Sequence, residues 1–199
     1  MTRAAIFDAV RQAARPGLFN DEGYVTALDN LLDAFGVPRA DAGQRSLSPA
    51  GEALIQKWEG YAKDIGADRV RSYPDPATGG APWTIGWGST GSDIGPDTIW
   101  TKAQAQARFR EHVAEFGEGV RKAIGAAPTT QAQQDAMTSL AYNIGLTNFA
   151  RSTLLKKHKD GDYAGAAQQF AVWNRANGKV MNGLTDRRAD EARMYRGEA

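Results

Sequence analysis

The segment from residue 73 to residue 91 differs in texture from the rest of the chain and most constrains the fold. Its first half is rich in turn-forming residues, namely Pro74, Pro76, Gly79, Gly80 and Pro82. In its second half Trp83, Ile85 and Trp87 alternate with polar or small residues. A period of two predicts a short strand, and the turn-forming residues before it predict a loop. The sequence therefore predicts a small β-region at this point.

Helical patterns with start signals lie on both sides of this β-region. Ser48 followed by Pro49 predicts the N-cap and first turn of a helix that ends near Gly60. Two longer helices are predicted by capping-box pairs, which are Thr101 with Gln104 and Thr130 with Gln133. Further helices are expected near residues 151–159, 162–173 and 185–196. We therefore predict an α+β, mostly α fold in which a β-hairpin region and a helical lobe flank a cleft.

The N-terminal residues are predicted to form a separate appendage. A first helix is expected over residues 4–14, and Asn20 can cap a second. The apolar residues of the second helix recur at helical spacing and are Val25, Leu28, Leu31, Leu32 and Phe35. Residues 39–47 are polar, which is typical of a linker. We therefore expect a two-helix appendage at 1–45 and a main domain at 48–199. Three roles of the appendage stay open: a binding module, a docking site for a partner, or packing against the main domain.

Composition excludes several classes of function. The chain has no cysteine, so it has no disulfide, no thiolate metal site and no cysteine nucleophile. His112 and His158 do not follow a metal-ligand spacing, so we expect neither a metal nor a cofactor. A net charge of +1 creates no positive potential that would attract nucleic acid, so we expect no nucleic-acid partner. Because the chain lacks both a long apolar run and an apolar signal-peptide core, we expect cytoplasmic synthesis and no membrane insertion. We also expect a monomer.

Two carboxylic acids near the β-region have contrasting surroundings. Glu59 falls at the C-terminal end of its helix beside Trp58. The negative end of the helix dipole and the apolar indole ring both disfavour an ionised carboxylate. A glycosidase needs such a protonated acid as its general acid. Asp75 lies in a polar turn, where we expect it to be ionised, and Thr84 can hold a water. Ordinary structural roles stay open at this point: a solvated glutamate, a turn-forming aspartate and a strand-forming threonine.

The order Glu59-Gly60, then Tyr73-x-Asp75, then Trp83-Thr84-Ile85-Gly86-x-Gly88 resembles the phage-type lysozymes, glycoside hydrolase family 24. Two more segments are similar to that family, 136–145 and 183–188 with Glu191, so the resemblance spans about residues 48–197. It implies a lysozyme-like fold with the catalytic triad Glu59, Asp75 and Thr84. The activity implied is that of an inverting endolysin, which cuts the β-1,4 bond between N-acetylmuramic acid and N-acetylglucosamine in peptidoglycan and so lyses the host cell.

The same resemblance implies a set of residues that bind the glycan strand, namely Tyr73, Trp83, Trp87 and Asn143, with core packing as the alternative for the two tryptophans. The chain departs from the family in a longer separation of Glu59 and Asp75, in an enlarged loop at 77–82, and at Ser89, where many members have histidine. Two other functions remain open: a lytic transglycosylase, against which Asp75 and Thr84 argue, and a wall-binding protein without turnover.

Overall fold

The computed structural model describes residues 3–15, 22–35, 37, 46–61, 64–75, 78–176 and 178–198. Within these residues the α-helices are α1 (Arg3–Ala13), α2 (Glu22–Ala34), α3 (Pro49–Glu59), α4 (Lys102–Ile124), α5 (Gln131–Ile144), α6 (Leu146–Ala150), α7 (Thr153–Lys159), α8 (Tyr163–Gln168) and α9 (Asn182–Tyr195). A 3-10 helix at Gln169–Trp173 continues α8. None of the described helices has the length and apolar character that crossing a bilayer requires.

The strands are short and form three small antiparallel sheets. They are β1 (Asp64–Gly66), β2 (Arg69–Arg71), β3 (Tyr73–Pro74), β4 (Trp83–Ile85), β5 (Ser89–Thr90), β6 (Ile99–Thr101), β7 (Arg175–Ala176) and β8 (Lys179–Val180). The sheet orders are β1-β2-β6, β3-β4-β5 and β7-β8. The structure confirms the expected α+β, mostly α class, because small sheets accompany a largely helical chain.

The predicted helix starts are confirmed by their caps. The Ser48 hydroxyl accepts a hydrogen bond from the Gly51 N–H, and Pro49 opens α3. Thr101 and Thr130 each form a complete capping box at the start of α4 and α5. These local contacts satisfy N–H groups that a helix otherwise leaves unpaired, which is why the sequence alone located them.

Helix α3 lies between two apolar cores. Leu54 belongs to the core of the helical lobe, which helices α4 to α9 build around Met137, Leu140 and Phe149. The next residue, Ile55, belongs to a second core between the sheets and α4, with Ile85 and other apolar side chains. Because Leu54 and Ile55 pack into different cores, α3 is fixed by packing on two sides. Its last residue, Glu59, is fixed with it.

The β4–β5 turn approaches α4 closely. Gly86 has a φ of 63°, and a β-carbon at this position would lie 3.0 Å from that of Ala105 on α4. A side chain here would be both strained and obstructed. The strand ends at Ile85, so Trp87 lies in the turn rather than on the predicted strand.

Several elements differ from the expectations. Strands β1 and β2 lie within a stretch to which the sequence assigned no element, and both α6 and the β7–β8 hairpin were missed. The predicted cap Asn20 and the side chain of Val25 lie outside the described residues.

The predicted linker extends too far at its C-terminal end. Ser46 and Leu47 already contact the main domain, because the Ser46 carbonyl accepts a hydrogen bond from Gln131 and Leu47 packs against the second core. Most of residues 39–47 lie outside the described residues, so the division of the chain stays a prediction.

Candidate active site

Glu59 is the last residue of α3 and is half-buried, with 22% of its side chain exposed. The helix ends here because Gly60 follows with a φ of 68°. The β4–β5 turn reaches the carboxylate, since a β-carbon at Gly88 would lie 3.6 Å from Glu59 Oε2. Glu59 therefore lies where the helical lobe meets the sheet of β3, β4 and β5.

An arginine that sequence reasoning did not identify pairs with Glu59. Arg187 Nη1 on α9 donates to Glu59 Oε1 at 2.8 Å, and its own side chain is only 4% exposed. The sequence predicted only the helix terminus and Trp58 as neighbours of Glu59, and the structure adds a buried guanidinium to them.

Arg187 is itself held by a buried polar network on α5 and α9. Its Nε donates to Glu191 Oε1 at 3.2 Å, and its Nη2 donates to the Ser139 carbonyl at 3.4 Å. Glu191 also accepts from the Ser139 hydroxyl at 2.7 Å and from Arg188 Nη2 at 2.9 Å. The position of Glu59 thus depends on residues far away along the chain.

Two tyrosines face the Glu59 charge from different elements. Burial raises the pKa of Tyr73 on β3, and the negative charge of Glu59 raises it further. Burial raises the pKa of Tyr142 on α5 to about 12, with a further contribution from Glu59. Both phenols therefore stay neutral hydrogen-bonding groups near the carboxylate, and Tyr73 brings the β3–β5 sheet to Glu59.

Asp75 directly follows β3 and begins the loop to β4. Its N–H donates to the Gly80 carbonyl at 3.0 Å and to the Pro82 carbonyl at 3.2 Å. Its Oδ1 accepts from the Thr78 N–H at 3.2 Å. A carboxylate that accepts a hydrogen bond from the backbone three residues later fixes a tight turn, so the loop itself orients Asp75.

Thr84 lies in the middle of β4 and pairs with Tyr73 on one side and Thr90 on the other. Residues directly opposite in antiparallel strands project from the same face. Tyr73, Thr84 and Thr90 therefore share one face of the sheet, and Ile85 on the opposite face enters the core. Tyr73, whose pKa the charge of Glu59 raises, lies on this face.

The other expected binding residues occupy different environments. Trp83 is half-buried and packs against the second core. Trp87 does not match its expected role, because it is only 6% exposed and its ring packs against Tyr61 and Phe109, with centroids 4.6 and 5.7 Å away. Asn143 is exposed, and its Oδ1 accepts from Arg188 Nη1 at 3.1 Å.

Comparison with known proteins identifies the family of this chain. A model of the phage lysozyme family matches residues 56–191, which is more than half of the chain. The chain therefore belongs to the phage lysozyme family, and the fold resemblance expected from its motifs is confirmed.

Named relatives point the same way. The chain is 39% identical over 149 residues to an endolysin of Bacillus phage PZA, covering 75% of this chain and 54% of that protein. It thus spans about half the length of this relative. An endolysin of Acyrthosiphon pisum secondary endosymbiont phage 1 is 37% identical over 153 residues, which cover 75% of this chain and 97% of that protein.

Solved structures of similar proteins share the fold. The endolysin from Escherichia coli O157:H7 phage FAHEc1 superposes with a TM-score of 0.64 at 35% identity, covering 76% of this chain and 94% of that one. The muramidase domain of SpmX from Asticaccaulis excentricus superposes with the same TM-score at 30% identity. The match covers 76% of this chain and 98% of that domain.

Proposed function

We propose that this chain is an endolysin that hydrolyses the β-1,4 bond between N-acetylmuramic acid and N-acetylglucosamine in bacterial peptidoglycan, with inversion at the anomeric carbon. The observation that carries the proposal is the placement of Glu59. It is a half-buried carboxyl at the meeting point of helices and sheet, held by a buried arginine in a chain of the phage lysozyme family. The printed names of the relatives, endolysins and a muramidase domain, support the same substrate class.

In the proposed reaction Glu59 is the general acid. Its proton goes to the oxygen that links the anomeric carbon of N-acetylmuramic acid to the next sugar, and that bond breaks. A water attacks the anomeric carbon from the opposite face and gives its proton to Asp75, the general base. The products are a new hydroxyl on the next sugar and an N-acetylmuramic acid reducing end in the α configuration.

We assign Thr84 the second contact to the attacking water. Thr84 shares a sheet face with Tyr73, and Asp75 follows Tyr73 by two residues, the spacing that returns side chains to one face of an extended chain. A base that orients a water benefits from a second hydrogen-bonding group, whereas a carboxylate that attacks the sugar directly does not need one. Tyr73, Trp83 and the exposed Asn143 are proposed to contact the glycan strand.

Product analysis on purified peptidoglycan tests the proposal. We expect reducing ends that borohydride reduces, and an NMR spectrum of fresh product with the α-anomer first. Anhydro ends that resist reduction would identify a lytic transglycosylase instead, and pelleting with the wall without any product would identify a binding protein. The β-anomer appearing first would refute the inverting mechanism.

A further inference from the structure

The buried carboxylate of Glu191 is the centre of the polar network behind Glu59. It is fully buried on α9, as are its neighbours Arg187 and Arg188. Three hydrogen bonds reach its Oε1, one each from Ser139 Oγ, Arg187 Nε and Arg188 Nη2. Arg188 Nε also lies 2.8 Å from Oε2 in an ion pair. A buried carboxylate with this many charged contacts fixes the groups around it.

The geometry divides the guanidinium of Arg187 between two carboxylates. Its Nε is held by Glu191 and its Nη2 by the Ser139 carbonyl, so Nη1 is the nitrogen that reaches Glu59. Arg188 extends the network in the other direction, where its Nη1 donates to Asn143 at 3.1 Å. Glu191 is thus the link through which the two arginines and Glu59 are arranged.

We infer that Glu191 is a positioning residue for the candidate general acid: it holds Arg187 in place against Glu59 and offsets the positive charge of the arginine pair. This inference rests on the proposed function. It extends that function by a residue that never touches the substrate and acts only through Arg187.

The charge balance around Glu59 supports this role. The groups that face it are Arg187 of α9, with Arg188 behind it, Tyr73 of β3 and Tyr142 of α5. Both tyrosines are neutral, so among these groups Glu191 is the carboxylate that offsets the two arginines when Glu59 holds its proton. Burial raises the pKa of Glu191, and the charges of Arg188 and Arg187 oppose that rise. If Glu191 loses its charge, both cations act on Glu59 and favour its ionised form, which cannot serve as an acid.

The pH dependence of kcat/KM tests this inference. The alkaline limb of that profile reports loss of the proton from the general acid of the free enzyme. For Glu191→Gln, which keeps the size of the side chain but removes its charge, we expect the limb to move about one pH unit lower. For Arg188→Met, which removes one cation, we expect it to move higher. In the double variant the two changes should largely cancel.

Opposite shifts separate positioning from simple support of the fold. Met194→Ala is the matched control, because Met194 is buried on the same helix but takes no part in the charge network. It should lower the melting temperature and leave the limb unmoved. If Glu191→Gln behaves like Met194→Ala, the inference is wrong. If Glu191→Gln does not fold, the Arg188→Met limb decides, and no upward shift there refutes the inference.

The outcome is distinguishable from failure of the proposed function. A wild-type protein that releases no reducing ends from peptidoglycan contradicts the function itself. A wild-type protein that releases them, with limbs that stay fixed in both charge variants, contradicts only the role of Glu191.

Discussion

The two sides of the candidate site are held in place by different means. On the acid side, Glu59 is paired with Arg187, which is 128 residues away along the chain and is held by a buried carboxylate on α9 and a backbone carbonyl on α5. On the water side, Asp75 and Thr84 are positioned by backbone hydrogen bonds within a single loop and the sheet beside it. The acid side therefore depends on the assembly of the whole helical lobe, whereas the water side depends on local turn and strand geometry.

The largest expected effect is on the acid side. Glu59→Gln keeps the shape of the side chain but cannot donate a proton, so we expect lysis of peptidoglycan to fall by about 100-fold or more. Turbidity loss of a cell-wall suspension measures it. Glu52→Gln is the matched control, because Glu52 lies on the same helix and also pairs with an arginine, Arg110, at 3.0 Å. A Glu59→Gln variant within tenfold of wild type would place the acid elsewhere.

On the water side we expect a graded loss. Asp75→Ala removes the base and should slow cleavage by about 100-fold, whereas Thr84→Ala removes only a group that orients the water and should slow it by about tenfold. Initial rates of reducing-end release measure both. Thr90→Ala serves as the control, since Thr90 lies opposite Thr84 on the next strand and is exposed. Equal losses from Asp75→Ala and Thr84→Ala would contradict the assignment of separate roles.

Stability should also separate the two sides. Arg187→Met leaves Glu191 with one arginine fewer in a buried setting, and we expect unfolding free energy to fall by about 3 kcal/mol. Thr78→Val in the loop of Asp75 removes a hydroxyl bond to the Ala81 carbonyl and should cost about 1 kcal/mol. Denaturant unfolding followed by circular dichroism measures both. A loop variant as damaging as the arginine variant would show that the water side is not locally held.

The helical lobe has a separate sensitivity to acid. His158 is fully buried, its Nδ1 lies 2.6 Å from the Tyr195 hydroxyl, and burial lowers its pKa to about 4. The unfolded chain takes up this proton near pH 6.5, whereas the folded chain takes it up only near pH 4. The contribution of the neutral His158 to the free energy of unfolding is therefore complete above about pH 6.5 and falls as the pH decreases to about 4. The loss can reach about 3 kcal/mol.

Free energies of unfolding measured across this pH range test the role of His158. His158→Gln should lack the decline, whereas His112→Gln, at the other histidine, should retain it. A decline of equal size in His158→Gln would assign the acid sensitivity to other groups.

Local signals explain what the sequence could predict. Ser48, Thr101 and Thr130 cap helices through residues within three positions, so their patterns are visible in the sequence. The strand at Trp83–Ile85 follows from alternation over a few residues. The positions of Asp75 and Thr84 relative to Tyr73 depend on the same short stretch.

What the sequence missed depends on contacts between distant segments. Strands β1 and β2 are three residues each and mostly exposed, and β2 is stabilised by pairing with β6 about 30 residues later. Arg187 and Glu191 are one turn apart on α9, a spacing that favours an ion pair within the helix. Nothing in that spacing indicates Glu59 as a further partner, because only the packing of α9 against α3 and α5 brings it there.

The smallest effect is expected from removing residues 1–45, which tests whether both sides of the site are complete without them. The main domain has its own anchor at its start: the Ser48 N–H donates to Asp135 Oδ1 at 3.1 Å, and its hydroxyl donates to Oδ2 at 2.5 Å. The shortened chain begins at Ser46 and keeps these contacts and Leu47. We therefore expect unchanged kcat/KM on soluble peptidoglycan fragments, with weaker pelleting on insoluble sacculi if the removed segment binds wall.

Ser48→Ala in the shortened chain is the comparison, and it should lower the melting temperature because it removes a cap worth about 1 kcal/mol. An unfolded truncation would show that the first 45 residues belong to the catalytic fold, and that the helical side of the site depends on them as well.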